Sequence, residues 1–280
     1  MCPGAEVHGI MDQGGLRVRM RSVICIGGSD SGGASGLQAD LRALDALGLH
    51  GLCVVTAVTA QSSTEVREIY PMAPEVVTAQ LRALWADDYD VGAVKVGMLA
   101  TSSIVRAVVD GLRDFEGPIV LDPVIVSSTG RALLDAAGVA LLRDVLLPRV
   151  TLLTPNLPEA RQLLGEPIVD HASAAKAVER LAELGCEAVL LKGGHFDTDA
   201  CTDVLWSGGR TQVFTLPRLP TPHTRGTGCT TASLIAGLLA QAHELPQAVQ
   251  LAKREVYDAI ARGERVGRGA GPVRVKCTRS

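Results

Sequence analysis

The sequence predicts an α/β protein in which a mostly parallel sheet carries helices on both faces. Three observations predict it. Short runs rich in Val, Ile and Leu alternate with segments of helical period, and repeated β–α order buries a parallel sheet between helix layers. Glycine and polar residues gather where those runs end, the place at which open parallel sheets bind ligands. Hydrophobic residues form 47% of the 280-residue chain and aromatics only 3%, so aliphatic side chains must fill the core.

In order, Val23-Ile24-Cys25-Ile26 reads as a buried strand ending at Gly27-Gly28. Leu37, Leu41, Leu44 and Leu47 form a helical stripe. Leu52 to Thr59 is the next strand, and Pro74 to Trp85 a helix with proline in its first turn. Val94 to Val96 is a short strand, followed by a helix over Ser102 to Leu112. Ile119 to Leu121 is a strand stopped at Asp122-Pro123, and Val139 to Leu147 is helical. Val150 to Leu153 is a strand, and Asn156 opens a helix over Leu157 to Leu164. Ala172 to Leu184 is helical, and the strand Ala188 to Leu191 runs into Lys192-Gly193-Gly194-His195. Val204-Leu205-Trp206 and Gln212-Val213-Phe214 flank a glycine turn, a hairpin near the sheet edge. Two helices, Thr230 to Ala242 and Pro246 to Arg262, close the chain. Residues 1–19 read as a disordered extension and 20–280 as one domain.

Composition narrows the function. A net charge of -3 gives no reason to expect nucleic acid or an anionic membrane as partner. No apolar run approaches the ~18 residues of a membrane span. Seven scattered cysteines without a C-x-x-C pair predict a reducing, cytoplasmic setting, not a disulfide framework or zinc site.

The segment Thr224-Arg225-Gly226-Thr227-Gly228-Cys229 runs straight into an apolar helix. Glycines there and a helix start turn N–H donors toward one point, which suits an anion such as a transferring phosphoryl group. The same donors predict an acidified Cys229 thiol, the fastest ordered cysteine to alkylate; a packed cysteine below a glycine turn is the plainer alternative. The first loop, Gly28 to Asp40, brings glycines, Gln38 and Asp40 to another strand end. Gln61 can offer a donor and an acceptor to a heterocycle edge. Asp122, Asn156 and Glu159 supply oxygen ligands for Mg²⁺, yet Asn156 and Glu159 also have capping-box spacing. Lys192, beside Gly193-Gly194, can meet a phosphate. There is no G-x-x-x-x-G-K-[ST] P-loop and no G-x-S-x-G elbow.

These pieces together resemble the ribokinase-like superfamily, and within it the hydroxymethylpyrimidine/phosphomethylpyrimidine kinases of thiamine biosynthesis. The matching stretches run from Gly28-Ser29-Asp30 through Lys95-Val96-Gly97-Met98 and Asn156-Leu157-Pro158-Glu159 to Gly226-Thr227-Gly228-Cys229. The resemblance implies a three-layer α/β/α ribokinase-like fold, ATP and Mg²⁺ as cofactors, and a homodimer. It implies that Gly28, Asp40, Gln61 and Met98 line the pyrimidine pocket and that Asp122, Asn156 and Glu159 organise Mg²⁺ and phosphates. It places Lys192, His195 and Lys253 toward the nucleotide. It also implies that Gly226, Thr227 and Gly228 form the anion hole and that Cys229 stands as base where related sugar kinases carry aspartate. Ala34-Ser35 and Ser62 depart from the usual family pattern, which bears on substrate preference.

The expected activity is transfer of the ATP γ-phosphoryl to 4-amino-5-hydroxymethyl-2-methylpyrimidine and then to its monophosphate, with the same base serving both steps. A pyridoxal kinase is the alternative within the superfamily, and a non-catalytic vitamin-sensing protein the alternative outside catalysis.

Overall fold

A computed structural model describes residues 19–127, 130–194 and 199–276. The aliphatic runs pair into one sheet, whose nine strands among the described residues are β1 (Arg21–Asp30), β2 (His50–Gln61), β3 (Val66–Pro71), β4 (Asp90–Val96), β5 (Ile119–Leu121), β6 (Leu152–Leu153), β7 (Ala188–Leu191), β8 (Ala200–Ser207) and β9 (Arg210–Pro217). Their order is β3-β2-β1-β4-β5-β6-β7-β8-β9. The central pairs from β2 to β7 are parallel, while β3, β8 and β9 join antiparallel at the two edges.

Strand alternation divides the core into two layers. Ile24 and Ile26 of β1 face one layer, Val23 and Cys25 the other. The first layer is closed by α2 (Pro74–Trp85), α3 (Ser102–Gly111), α4 (Ala136–Leu141), α5 (Leu157–Leu164) and α6 (His171–Ala182). The second is closed by α1 (Gly36–Ala46), α7 (Thr227–Ala240) and α8 (Leu245–Ala261). Helix α7 is buried continuously from Thr230 to Leu238. A helix apolar on all sides belongs inside a protein, and α7 lies between α1 and α8 with its N-terminus at the strand ends.

Several boundaries differ from the sequence expectation. β1 continues through Gly27-Gly28 to Asp30, because those glycines still pair with β2. β3 went unpredicted: it is an edge strand with charged Arg67 and Glu68 and only Val66 fully buried. The helix expected over 139–147 begins at Ala136, passes through a π turn over Leu142–Leu146, and ends in a 3₁₀ turn over Leu147–Arg149. Pro148 cannot continue the ladder there. Arg19, assigned above to the extension, ion-pairs with Asp88; residues 1–18 lie outside the described residues.

The start of α1 crosses the end of β1 at very short range. Gly36 has φ +59°, and a Cβ there would stand 2.3 Å from the Gly28 carbonyl oxygen. Gly33 has φ +68° but open space around it. Gly33→Ala therefore meets only the left-handed backbone penalty, about 1 kcal/mol, whereas Gly36→Ala adds a backbone collision and should lose more than about 3 kcal/mol. Urea denaturation of the two variants checks this. Equal losses would mean that α1 does not pack on β1 this closely.

Candidate active site

The loop after β1 is organised by one carboxylate. Asp30 Oδ1 accepts from the Gly32 N–H at 2.8 Å, and Oδ2 accepts from the N–H groups of Ala34 and Ser35 and from Ser35 Oγ. From the sequence alone Asp30 had no role beyond its place in the stretch Gly28-Ser29-Asp30. Its position after a Gly-Gly pair and before Gly32-Gly33 was the available signal. The folded loop meets the turn before α7: Gly226 has φ +82°, and a Cβ there would lie 2.1 Å from Ala34 O. Arg225, just before it, donates to Ser62 O at 2.6 Å and so ties this turn to the end of β2.

The first turn of α7 then presents Gly228 and Cys229. Thr230 N–H is the first to bond within the helix, to Gly226 O. The N–H groups of Gly228 and Cys229 have no backbone acceptor among the described residues, as expected at a helix start. Beneath them lies a buried ion pair that the sequence reading missed as such. Lys95 Nζ donates to both oxygens of Asp40 at 2.9 Å, and Ser233 Oγ donates to Asp40 Oδ1 at 2.8 Å. A lysine inside the apolar run Ala93-Val94-Lys95-Val96 was the signal, since such a charge needs a buried partner. Burial works against the Lys95 charge, but Asp40, Cys229 and Asp122 outweigh it and hold the ammonium protonated.

Asp40, expected to line the ring pocket, is wholly buried, with its oxygens taken by Lys95 and Ser233. Cys229 was expected to be acidified, but burial pushes its thiol up to about 11. Lys95 and the Gly36 N–H pull it down, while Asp40 and Asp122 add to the rise. Loss of solvent outweighs the helix start.

The anionic side of the site comes from neighbouring strand ends. Lys192, after β7, donates to Asp122 Oδ1 at 2.6 Å. A Cβ on Gly228 would be 3.2 Å from Lys192 Nζ and 3.4 Å from Asp122 Oδ2, so the cation, the carboxylate and the glycine turn share one point. Asn156 caps α5: its Oδ1 accepts from Glu159 N–H at 2.9 Å, and Glu159 Oε2 accepts from Asn156 N–H at 2.8 Å. The capping box is real. Burial, opposed by Lys192 and assisted by Asp122, raises Glu159 to about 7. Lys253 reaches the same quarter through Asp203, which pairs with its Nζ at 2.8 Å and accepts from Gly193 N–H at 2.8 Å. His195 lies outside the described residues.

On the ring side, Gly28 is pressed against Met98: a Cβ would meet the Met98 sulfur at 2.9 Å. Thr56 Oγ1 fixes the Met98 carbonyl at 2.5 Å. Gln61 is held by its backbone N–H to Ser31 Oγ, and its Oε1 accepts from Thr59. Its amide N–H₂ has no partner among the described residues. Gly28 and Met98 thus meet at the strand ends, while Gln61 lies at the end of β2 beside Ser31.

A sequence model described as phosphomethylpyrimidine kinase matches residues 30–274. The chain belongs to that kinase family. Within it, the hydroxymethylpyrimidine/phosphomethylpyrimidine kinase of Streptomyces coelicolor is 43% identical over 251 residues, 90% of this chain and 93% of that protein. The crystal structure of phosphomethylpyrimidine kinase from Clostridium difficile shares 32% identity at a TM-score of 0.76, covering 86% of this chain and all of that one. An ADP complex of Bacillus subtilis pyridoxal kinase, 29% identical, superposes at 0.86 over 93% of this chain and 99% of that one. The fold is ribokinase-like, and this phosphomethylpyrimidine kinase family member is a phosphotransferase.

The raised Glu159 carboxyl has a consequence for stability. Between its ordinary value near 4.5 and about 7, the folded protein holds a proton that the unfolded chain has lost. Stability should therefore fall as pH rises through that window. Glu159→Gln keeps the cap geometry but removes the titration. The stability difference between pH 5 and pH 8 should be larger in the parent than in the variant by more than about 1 kcal/mol. Identical pH slopes in denaturant titrations would place Glu159 in open solvent.

Proposed function

We propose that this kinase transfers the γ-phosphoryl of ATP to the hydroxymethyl oxygen of 4-amino-5-hydroxymethyl-2-methylpyrimidine, and then a second phosphoryl to the monophosphate. The observation that carries the reading is the convergence of the open Gly228 and Cys229 N–H groups on the Asp122–Lys192 pair, within a chain of this family. Such transfers need positioning and charge stabilisation above all. The N–H donors of the Gly226-Thr227-Gly228 turn are suited to the charge growing on the transferring group. Lys192 would exchange its Asp122 partner for phosphate oxygens. Lys253, through Asp203, would hold the Gly193 loop against the nucleotide. Gln61 would meet the ring edge with its free amide, and Gly28 and Met98 would wall the ring.

Mg²⁺ fits the donor set. Asp122 and Glu159 are hard oxygen ligands, with Asp122 close enough to raise Glu159, and among the described residues no group of three or more His, Cys, Asp or Glu could enclose a metal. An ion held by one or two carboxylates, nucleotide phosphates and water is the form Mg²⁺ takes. Asp122 and Glu159, oriented by Asn156, would hold it, and when bound it supplies neutralisation of the phosphate charge. A homodimer belongs to this reading; Val58 and Tyr70, register partners on the β2–β3 hairpin, are 43% and 56% exposed and offer it an apolar patch. Among the described residues no helix is long and apolar enough to cross a membrane.

In the first transfer the hydroxymethyl O–H must lose its proton, and Cys229 is the group placed to take it. A loose transition state sheds that proton late, which suits a weakly ionised thiol. The second transfer differs from the sequence expectation of one base for both steps. A phosphomonoester is mostly dianionic above pH ~6, so its attacking oxygen carries no proton to remove.

Cys229→Ala should therefore depress kcat on the unphosphorylated pyrimidine by about 10²-fold or more, the usual worth of a positioned base, and on the monophosphate far less. With the thiol at about 11, the thiolate fraction grows tenfold per pH unit. The first-transfer rate should rise with unit slope between pH 7 and 9, and the second should stay flat. A pH-independent first transfer in the parent enzyme would remove Cys229 from the role of base. The ring contact has its own check: Gln61→Leu should weaken pyrimidine affinity by about 0.5–1.5 kcal/mol while sparing ATP. Calorimetry with each ligand reads both terms, and an unchanged pyrimidine affinity rejects the contact.

A further inference from the structure

The second transfer makes a demand that the first does not. Its substrate brings a phosphate dianion beside a nucleotide that is already anionic, and holding it there takes a cation with donors to spare. The cations that the described residues place around the site differ in how far they are already committed. Lys95 is bound to both oxygens of Asp40 and wholly buried. Lys192 is paired with Asp122 at 2.6 Å and Lys253 with Asp203 at 2.8 Å. Arg42 donates to Gly33 O from the exposed outer side of the first loop.

Arg225 differs from all of these. One guanidinium nitrogen donates to Ser62 O at 2.6 Å. The carboxylate nearest the other, Asp30, stands at 3.8 Å, beyond hydrogen-bond range, and already accepts from Gly32, Ala34 and Ser35. The guanidinium is thus ion-paired with Asp30 only loosely, its remaining N–H groups have no hydrogen-bond partner among the described residues, and the side chain is only 12% exposed. The backbone is fixed from behind: Arg225 N–H donates to Gly271 O, and Val273 N–H donates to Arg225 O. The residue directly precedes Gly226 of the anion turn, and its side chain reaches the residue that follows Gln61. The side chain therefore runs from the anion turn to the end of β2, with its guanidinium beside Ser62 and Asp30.

We propose that Arg225 binds the phosphate of the pyrimidine monophosphate and so determines acceptance of the substrate of the second transfer. The inference rests on the two-step reading above. A planar fork of donors matches a phosphate bidentately, which a lysine cannot do. In the step itself a monophosphate oxygen attacks the γ-phosphorus. The new P–O bond forms as the bond from the γ-phosphorus to the β–γ bridging oxygen breaks, and ADP leaves with that electron pair. No proton moves.

Steady-state kinetics of the full chain with each substrate tests this. Arg225→Met should lower kcat/KM for the monophosphate by about 30-fold or more, mostly through KM. For the unphosphorylated pyrimidine, kcat/KM should stay within about 3-fold of the parent. Arg225→Lys keeps the charge and loses the fork, so the monophosphate loss should be intermediate, about 10-fold; this variant carries the test should the methionine form not fold. Equal losses on both substrates would overturn the assignment and leave Arg225 as a clamp on Ser62. An unchanged monophosphate KM in both variants would overturn it as well. A parent enzyme that phosphorylates the pyrimidine but not the monophosphate removes the second transfer, and the assignment with it. A parent inactive on both substrates overturns the functional reading first.

Discussion

The pairing of Lys95 with Asp40 is the constraint on which the site is built. Lys95 is the largest fully buried side chain among the described residues, and it sits on β4 in the middle of the sheet. An ammonium without a partner there would cost several kcal/mol in lost hydration. Asp40 from α1 supplies that partner, and Ser233 from α7 supplies a further hydrogen bond. One charge therefore fixes a strand and two helices relative to one another. The two helices are the ones whose N-terminal ends form the first loop and the anion turn. Gly36 and Gly226 complete the arrangement, because only glycine permits the contacts with Gly28 O and Ala34 O.

Around this pair the site consists of cations already matched to carboxylates: Lys192 with Asp122, Lys253 with Asp203. Preformed pairs hold long, flexible side chains in position without a bound nucleotide, so less ordering remains to be done on binding. In the proposed reading phosphates would displace the carboxylates, and the released carboxylates would face the cation that accompanies the nucleotide. Glu159 shows the strain of that charge balance. Buried beside Asp122, it rises to about 7 and is poised to give up its proton when positive charge arrives.

Cys229 illustrates how competing local effects resolve. A helix start and a nearby ammonium favour the thiolate, while burial and two carboxylates oppose it, and the opposition prevails. The result is a weakly ionised acceptor suited to a late proton. A monophosphate dianion needs no such acceptor, so under the proposed mechanism a single constellation would meet different demands in the two transfers: proton removal in the first, accommodation of charge in the second.

Much of this was fixed by local sequence. Pro74 to Trp85, Ile119 to Leu121, Leu157 to Leu164 and Ala188 to Leu191 coincide with observed elements, because periodicity and capping residues act within a few positions along the chain. The family resemblance was legible for the same reason: its glycine turns and strand-end residues are contiguous pieces. β3 was not legible, since an edge strand exposes polar side chains and is defined by its partner, β2. Nor was the contact of Arg225 with Ser62, which joins segments 163 residues apart. Neither the ion pair of Asp40 with Lys95 nor the raised thiol of Cys229 was legible. Their behaviour depends on how much water is excluded and which charges lie alongside, and only the packed tertiary structure sets those quantities.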